Sequence, residues 1–181
     1  EATPTNVIIA AGNADSIFAV SSAGVITVAS TANLDYETTT SYTLSIIAYN
    51  AQSSDVADVT INIVDANDAP SAGNDATGAL TEDASTSTVT GTITGTDQDG
   101  DTLTYSGATT GTYGAIALSG ATWTYTLDNS DADTTALDAG DTATDSFTMT
   151  VSDGTASDTM TVTITITGAD DATSAGPDQT G

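Results

Sequence analysis

The sequence has no lysine, arginine, histidine or cysteine among its 181 residues, whereas it has 25 Asp and Glu residues and a formal net charge of −25. Because such a charge repels phosphate backbones and anionic headgroups, nucleic-acid binding and membrane insertion or surface binding are poor hypotheses. The missing histidine and cysteine remove the usual ligands of zinc, copper and iron, and no disulfide framework can form. Cations are therefore the expected partners of this chain.

The same absences limit catalysis. Without His, Lys, Arg or Cys, a carboxyl group is the only general acid or base, so that paired-carboxylate hydrolysis of glycosides is the one reaction left chemically open. We therefore predict that the protein is not an enzyme.

No stretch approaches transmembrane length, and residues 1–30 lack a basic start and a continuous apolar run, so neither a spanning segment nor a signal peptide is predicted.

Apolar and polar residues alternate with a period of two along much of the chain, and only a short turn at 133–140 suggests any helical period. The alternating segments are 25–29, 42–50, 56–65, 88–96, 122–129, 145–154 and 158–168. Only 5% of the residues are aromatic, which suits thin cores of Val, Ile and Leu between sheets. The pattern predicts an all-β chain made of two antiparallel sandwiches in tandem.

The predicted domain boundary lies in residues 65–78, DANDAPSAGNDATG, where a strand pattern ends and Pro70 cannot donate to a sheet. Residues 68–78 (DAPSAGNDATG) and 171–181 (DATSAGPDQTG) are identical at eight of eleven positions. This repetition indicates an array of modules that share one kind of junction. We predict one domain at 1–68, a second at 69–171, and the start of a following module or a donor strand at 172–181.

Motifs in both halves resemble known families. Residues 7–70 resemble the later part of a cadherin repeat, through GNADSIFAVSSAGVITV (12–28), LDYE (34–37), AYN (48–50) and DANDAP (65–70). Residues 78–171 resemble a VCBS repeat, a bacterial cadherin-like module, through TDQDGDTLTYS (96–106), TYGAIALSGATWTYTLDNS (112–130), ALDAGDTATDSFTMTVSDG (136–154) and TVTITITGADDA (161–172). The resemblance implies two Greek-key, cadherin- or Ig-like sandwiches joined end to end, the first without its opening strands.

The cadherin resemblance further implies Ca²⁺ at the junctions between modules. The ligands implied at the first join are Asp35, Glu37, Asp65, Asp68, Asp97, Asp99 and Asp153, with the backbone carbonyls of Asn67 and Ala69. A second set, Glu82, Asp170 and Asp171, would meet acids of a following module. Asn50 stands where such repeats commonly carry an Asp that faces the previous join. Residue chemistry agrees, since calcium takes about six to eight oxygen ligands in irregular geometry.

The remaining notable residues are assigned to structure. Trp123 alternates with Tyr125 and Leu127 on one strand, which is typical of a sandwich core. Six further acids are interpreted as turn residues, because Asp favours turns for backbone reasons: Asp128, Asp131, Asp133, Asp138, Asp141 and Asp145.

These features together predict an extracellular, calcium-rigidified spacer of a bacterial surface adhesin or fibre. Its expected partners are neighbouring copies or modules of the same protein, head to tail. The sequence is interpreted either as one period of a longer repetitive chain or as a subunit that forms filaments by strand donation. The alternative is a carbohydrate-binding module of a secreted protein, with Tyr105 or Tyr113 as its platform. No particular cell-surface or glycan receptor is predicted.

Overall fold

The computed structural model describes residues 5–29 and 34–171, and in these residues it contains fourteen β-strands and no helix. The chain divides into two compact units, Glu1–Ala66 and Asn67–Gly181, which are called unit 1 and unit 2 below. The described residues include no helix that could cross a membrane. The all-β fold class is confirmed. The predicted donor strand at 172–181 lies outside the described residues.

The boundary between the units lies between residues 66 and 67, whereas the sequence pattern predicts it between 68 and 69. The difference has a simple cause, because Asn67 and Asp68 both form hydrogen bonds with residues of unit 2. These two linker residues therefore belong with the second unit.

Unit 1 contains a three-stranded sheet and a two-stranded hairpin. Its strands are β1 (Asn6–Ala11), β2 (Phe18–Val20), β3 (Ile26–Val28), β4 (Ser41–Tyr49) and β5 (Ser54–Asn62). The sheet has the order β1-β4-β5 and is antiparallel throughout, while β2 pairs with β3. Three buried residues, Ile17, Phe18 and Leu44, form the core of this unit, and the ring of Phe18 contacts that of Tyr42 edge to face.

Within residues 67–171, unit 2 contains nine strands and most of the buried apolar residues of the described chain. Its strands are β6 (Ser71–Ala72), β7 (Ala76–Thr81), β8 (Thr88–Thr92), β9 (Gly95–Thr96), β10 (Thr104–Gly107), β11 (Gly114–Ser119), β12 (Thr122–Leu127), β13 (Thr142–Ser152) and β14 (Ser157–Thr167). They form sheets of order β10-β13-β14-β7 and β11-β12-β8, with β6 paired to β9. The alternating residues of β12, β13 and β14 supply most of the core.

One strand pair in unit 2 corrects the expectation of purely antiparallel sheets. Strand β7 pairs with β14 in parallel, with Ala76 opposite Val162 and Thr81 opposite Thr167. Parallel neighbours need a long crossover, and here almost the whole unit lies between the two strands in sequence. Period-two alternation fixes which side chains are buried but not the direction of the neighbouring strand.

Trp123 lies in the core of unit 2, as predicted. It is 1% exposed, and Tyr125 and Leu127, which alternate with it along β12, are also buried. Gly91 of β8 stands directly opposite Trp123 in the sheet, and a Cβ atom at position 91 would collide with the indole ring. The small residue on one strand therefore makes the space for the large ring on the next.

Candidate metal-binding sites

The loop between β9 and β10 carries aspartates at three alternate positions of unit 2. Ligand oxygens of Asp97, Asp99 and Asp101 all lie within 4.8 Å of one another. Gly100 has a φ of +76°, which allows the chain to turn between the second and third acids. The backbone N–H of Asp101 donates to Oδ1 of Asp97 at 3.0 Å. The loop thus folds its acids toward one point.

Two carboxylate oxygens of this loop have no protein partner in the part of the chain that the structure describes. Oδ2 of Asp97 and Oδ1 of Asp99 are both buried and accept no hydrogen bond. A buried acceptor without a partner is destabilising by about 1–3 kcal/mol, and more when it is charged. A cation bound in this loop would satisfy both oxygens.

The linker residues are hydrogen-bonded to the same region of unit 2. The backbone N–H of Asp68 donates to Oδ2 of Asp99 at 2.8 Å, and Nδ2 of Asn67 donates to Oδ2 of Asp153 at 3.0 Å. Nδ2 of Asn67 also contacts the carbonyl oxygen of Asp68 at 2.8 Å. Four of the predicted ligands, Asn67, Asp68, Asp99 and Asp153, are therefore brought together, while Ala69 is exposed beside the buried Pro70.

Asp153 is held by the hairpin loop between β13 and β14. Its Oδ1 accepts hydrogen bonds from the backbone N–H groups of Thr155 and Ala156, both at 2.6 Å. The hydrogen bond from Ala156, followed by those from Asn67 and Thr155, holds the pKa of Asp153 below its ordinary value of 3.8. The loop therefore favours the charged form of Asp153.

Asn50 of unit 1 occupies the same loop position as Asp153. Its Oδ1 accepts the backbone N–H groups of Gln52 and Ser53, both at 2.9 Å, in the four-residue loop between β4 and β5. The local turn is thus retained without the negative charge, as the sequence analysis expects of this position.

Unit 1 contributes the remaining predicted acids of the first join. Asp35 accepts hydrogen bonds from the hydroxyl of Thr38 at 2.8 Å and from the backbone N–H groups of Glu37 and Thr38. The Thr38 hydroxyl is the main reason that the pKa of Asp35 lies below its ordinary value. Carboxylate oxygens of Glu37 and Asp65 lie within 4.8 Å of each other, and both residues are exposed. Unit 1 therefore presents an acidic pair near the start of the linker.

The donor set of these loops fits calcium. All of the side chains offer carboxylate or amide oxygen, and calcium accepts many such ligands in flexible geometry. Two charged carboxylates whose oxygens lie within 4.8 Å of each other repel by at least about 3 kcal/mol at an effective dielectric constant of about 20. A bound divalent cation would convert this repulsion into attraction.

The second predicted set is only partly assembled. Glu82 is 1% exposed, and its Oε2 accepts the backbone N–H of Ala169 at 3.3 Å. Its Oε1 is buried and has no hydrogen-bond partner among residues 5–29 and 34–171. Asp170 and Asp171 are exposed, and within the described chain neither joins a cluster of three acids. Glu82 is the one member of this set that has a buried oxygen without a hydrogen-bond partner in the described residues.

Asp101 is the ligand candidate that the sequence analysis missed. The sequence DQDGD could have predicted this ligand, because acids at alternate positions with an intervening glycine are a common oxygen-ligand pattern for calcium. Only Asp97 and Asp99 were predicted as ligands, because the family resemblance implied only those two.

The acids assigned to turns follow that prediction with one exception. Asp128 and Asp131 accept backbone N–H groups two residues ahead, and Asp138 and Asp141 are hydrogen-bonded to each other in one turn, while Asp133 also lies in a turn. Asp145 is different, because it lies within β13 and is 3% exposed. The assignment of Asp145 to a turn is therefore wrong.

Asp145 fastens a loop to the core of unit 2. Its Oδ1 accepts the backbone N–H of Thr112 at 2.7 Å, and its Oδ2 accepts the N–H of Tyr113 at 3.1 Å and the hydroxyl of Tyr125 at 2.8 Å. Burial, and then the hydrogen bond to Asp145, raise the pKa of Tyr125 well above its ordinary value. This carboxylate uses both oxygens within the fold, so that its role is structural.

The aromatic residues considered for sugar stacking in unit 2 are buried or partly buried. Trp123 is buried, and Tyr105 and Tyr113 pack partly against the core of unit 2. A cleft of about 500 Å³ lies beside Tyr113 and is lined mainly by small residues, threonines and the acids Asp128 and Asp131. Tyr113 is the one aromatic residue among those that line the cleft, and it is partly buried.

The fold and the acidic loops define a tandem β-sandwich protein of the cadherin type. Residues 67–168 match the family model for the bacterial cadherin-like domain, which is more than half of the chain. The chain therefore belongs to the bacterial cadherin-like domain family. This family is one of extracellular, non-enzymatic adhesion or structural modules.

Solved structures of cadherin repeats are similar in fold to about nine tenths of the chain. Human protocadherin-24 EC1-2 has a TM-score of 0.61 at 16% identity, covering 93% of this chain and 83% of its own. Human mucin-like protocadherin EC1-2 has a TM-score of 0.52 at 16% identity, covering 91% and 84% respectively. Protocadherin gamma B2 domains 1–5 has a TM-score of 0.55 at 20% identity, covering 90% and 32% respectively. No curated protein is similar enough to match this chain.

The cadherin-like part of the sequence interpretation is confirmed by these matches. The assignment of residues 78–171 to VCBS repeats stays a prediction, because the family model that matches this region is that of the bacterial cadherin-like domain.

Proposed function

We propose that the chain is a calcium-rigidified spacer of an extracellular adhesin or surface fibre. The observation that carries this proposal is the pair of buried, partnerless oxygens on Asp97 and Asp99 in the loop to which the linker is hydrogen-bonded. Membership of the bacterial cadherin-like family supports a bacterial surface as its location.

The acids of unit 2 would hold the first ions. Asp97, Asp99 and Asp101 already converge, and Asp153 is kept anionic by its own loop. Calcium, when bound, would supply the positive charge that this sequence lacks entirely. Asn67 and Asp68 would remain docked on unit 2, so that the linker has less freedom to swing.

The acids of unit 1 would complete the junction in our proposal. Glu37 and Asp65 form an acidic pair, and Asp65 lies only two residues before Asn67 in sequence. An ion that is shared between these acids and the loop of unit 2 would fix the linker. Calcium removal would then restore a flexible, self-repelling tether.

Glu82 is proposed as the corresponding ligand at the other end of unit 2. Its buried and partnerless Oε1 resembles the orphaned oxygens of Asp97 and Asp99. Asp170 and Asp171 would join it when a following module supplies further acids. Such a repeated junction supports head-to-tail assembly, in an array of modules or in a filament formed by strand donation.

Small-angle scattering of the full chain in excess calcium and in excess chelator tests the proposal. We expect a longer maximum dimension and a narrower distribution of shapes with calcium. The Asp99→Asn variant should lose most of this response, whereas the matched control Asp133→Asn, an exposed turn residue with the same charge change, should keep it. Identical scattering curves in calcium and in chelator would contradict the proposal.

A further inference from the structure

Two peptide bonds of the chain join an aspartate to a glycine, and both lie in candidate metal-binding loops. They are Asp99–Gly100 between β9 and β10 and Asp153–Gly154 between β13 and β14. Because glycine has no side chain to hinder its backbone nitrogen, this nitrogen can attack the carboxyl carbon of the preceding aspartate. Both peptides share this chemistry, so a difference in their reactivity must come from the surrounding structure.

The backbone nitrogen of Gly100 is open to reaction. Gly100 is exposed, and a Cβ atom added to it would meet no heavy atom within 4 Å beyond its chain neighbours. In the part of the chain that the structure describes, the N–H of Gly100 donates no hydrogen bond. No bond within the fold therefore has to break before this nitrogen can attack, and water can reach the product.

The carboxylate of Asp99 is held by a single hydrogen bond within the described residues. Its Oδ2 accepts the backbone N–H of Asp68 at 2.8 Å, while its Oδ1 is buried and has no partner. When that one hydrogen bond opens, the side chain can turn its carboxyl carbon toward the nitrogen of Gly100.

The other Asp-Gly peptide is held more firmly. The N–H of Gly154 donates to Oγ of Ser152 at 3.1 Å, so the attacking nitrogen is engaged. Oδ1 of Asp153 accepts the N–H groups of Thr155 and Ala156, both at 2.6 Å. Its Oδ2 accepts Nδ2 of Asn67 at 3.0 Å. Several hydrogen bonds must therefore break before this peptide can react.

We propose that Asp99 is a site of spontaneous modification, which isomerises to isoaspartate through a succinimide, and that the fold protects Asp153. The nitrogen of Gly100 bonds to Cγ of Asp99, and a Cγ–O bond breaks. The oxygen leaves as water with the amide proton and one proton from solvent. A water molecule then adds to the backbone carbonyl carbon of Asp99 and breaks its bond to the nitrogen, which gives isoaspartate without any oxidant or enzyme.

The modification would alter the candidate metal loop. In isoaspartate the main chain runs through Cγ, so that the loop is one atom longer and the free carboxylate is attached directly to Cα. The present approach of the Asp99 oxygens to those of Asp97 and Asp101 would be lost. The N–H of Asp68 would also lose its acceptor. A modified loop should therefore neither collect its acids nor hold the linker.

Calcium would protect Asp99, and this part of the inference rests on the proposed function, whereas the isomerisation itself does not. An ion bound by Asp99 would hold its carboxylate away from the nitrogen of Gly100. At a calcium concentration about 100 times the dissociation constant, only about 1% of the loops stay empty. We therefore expect saturating calcium to slow the modification of Asp99 by about tenfold or more.

Peptide mapping of the full chain after incubation at neutral pH, in excess calcium and in excess chelator, tests the proposal. Because the chain has no Lys or Arg for trypsin, chymotrypsin supplies the peptides. Electron-transfer fragmentation in a mass spectrometer then distinguishes isoaspartate from aspartate at each position. In chelator we expect isoaspartate at position 99 to accumulate about tenfold faster than at position 153, since fewer hydrogen bonds must break.

Two variants test the structural reasons for this difference. Ser152→Ala removes the acceptor of the Gly154 N–H, so it should speed the modification of Asp153 and leave that of Asp99 unchanged. Asp99→Glu keeps a carboxylate but lengthens the side chain, which removes the five-membered ring and should abolish the modification at this position. Equal rates at positions 99 and 153 in the parent, or no isoaspartate at position 99 in chelator, would overturn the proposal.

Calcium titration of fresh and aged samples separates failure of this inference from failure of the proposed function. We expect the fraction rich in isoaspartate at position 99 to bind calcium about tenfold or more weakly than the fresh chain. A fresh chain that binds calcium but stays unmodified in chelator would overturn the isomerisation alone. A chain that isomerises at Asp99 but binds no calcium when fresh would overturn the proposed function and support the isomerisation.

Discussion

The buried carboxylate of Asp145 gives the sharpest test of how unit 2 is held together. Its two oxygens accept three hydrogen bonds, from the N–H groups of Thr112 and Tyr113 and the hydroxyl of Tyr125. Substituting Asp145 by Ala removes both acceptor oxygens and all three hydrogen bonds at once. It also leaves the Tyr125 hydroxyl in the core without a partner.

The expected change in the free energy of unfolding follows from these hydrogen bonds. A hydrogen bond to a charged group contributes about 1.5–3 kcal/mol, and a buried donor that loses its partner costs about 1–3 kcal/mol. The N–H groups of Thr112 and Tyr113 line the cleft and can regain water, so their share is at the low end. We expect Asp145→Ala to lower the free energy of unfolding of unit 2 by about 3–5 kcal/mol. Tyr125→Phe, which removes one donor, should lower it by about 1–2 kcal/mol.

Urea denaturation followed by tryptophan fluorescence measures this effect in unit 2 alone, because Trp123 is the single tryptophan of the chain. Asp133→Ala, at an exposed turn, is the matched control and should stay within about 0.5 kcal/mol of the parent. If Asp145→Ala also stayed within that range, the hydrogen bonds to Asp145 would not stabilise unit 2 and the reasoning would be refuted.

Three further predictions concern unit 2. Gly91→Ala should lower its free energy of unfolding by about 1–3 kcal/mol in the same urea assay, since the new methyl group meets the ring of Trp123; an unchanged midpoint would contradict the packing. The hydrogen bond from the N–H of Ala72 holds the pKa of Asp158 in the folded state below its ordinary value of 3.8. The charged form of Asp158 therefore stabilises the fold fully above pH 3.8, and this contribution is lost as the pH falls through the lowered pKa. The melting temperature of the Asp158→Asn variant should therefore fall less steeply than that of the parent as the solution becomes acidic. An unchanged dependence of melting temperature on pH would contradict this prediction. Glu82→Gln should raise the melting temperature measured by circular dichroism in chelator, because a neutral amide is easier to bury, and a lower value would argue against an orphaned charge.

The long strands of unit 2 were predictable because their buried faces are nearly continuous. Strands β12, β13 and β14 alternate apolar and polar residues over their length, and each was predicted within a few residues of its bounds. The segment 88–96 instead divides into β8 and β9, since Ile93 and Thr94 lie between the two. Shorter strands such as β6 and β10 were missed, because two to four residues cannot show a period.

The acids were predictable as a group but not in their individual roles. Position within a motif predicted Asp97, Asp99 and Asp153 as one group, and in the structure Asn67 and Asp68 form hydrogen bonds with two of them, Asp153 and Asp99. Sequence alone could not distinguish Asp145, because a buried carboxylate depends on donors that come from two distant segments. Long-range hydrogen bonds of this kind leave no local pattern in the sequence.

Calcium binding to the full chain, measured by isothermal titration calorimetry, tests the central claim most directly. The account predicts saturable binding that the Asp97→Asn and Asp99→Asn substitutions weaken strongly and Asp133→Asn leaves unchanged. Equal binding by the parent and the two loop variants, or heat no greater than that of dilution for the parent, would contradict it.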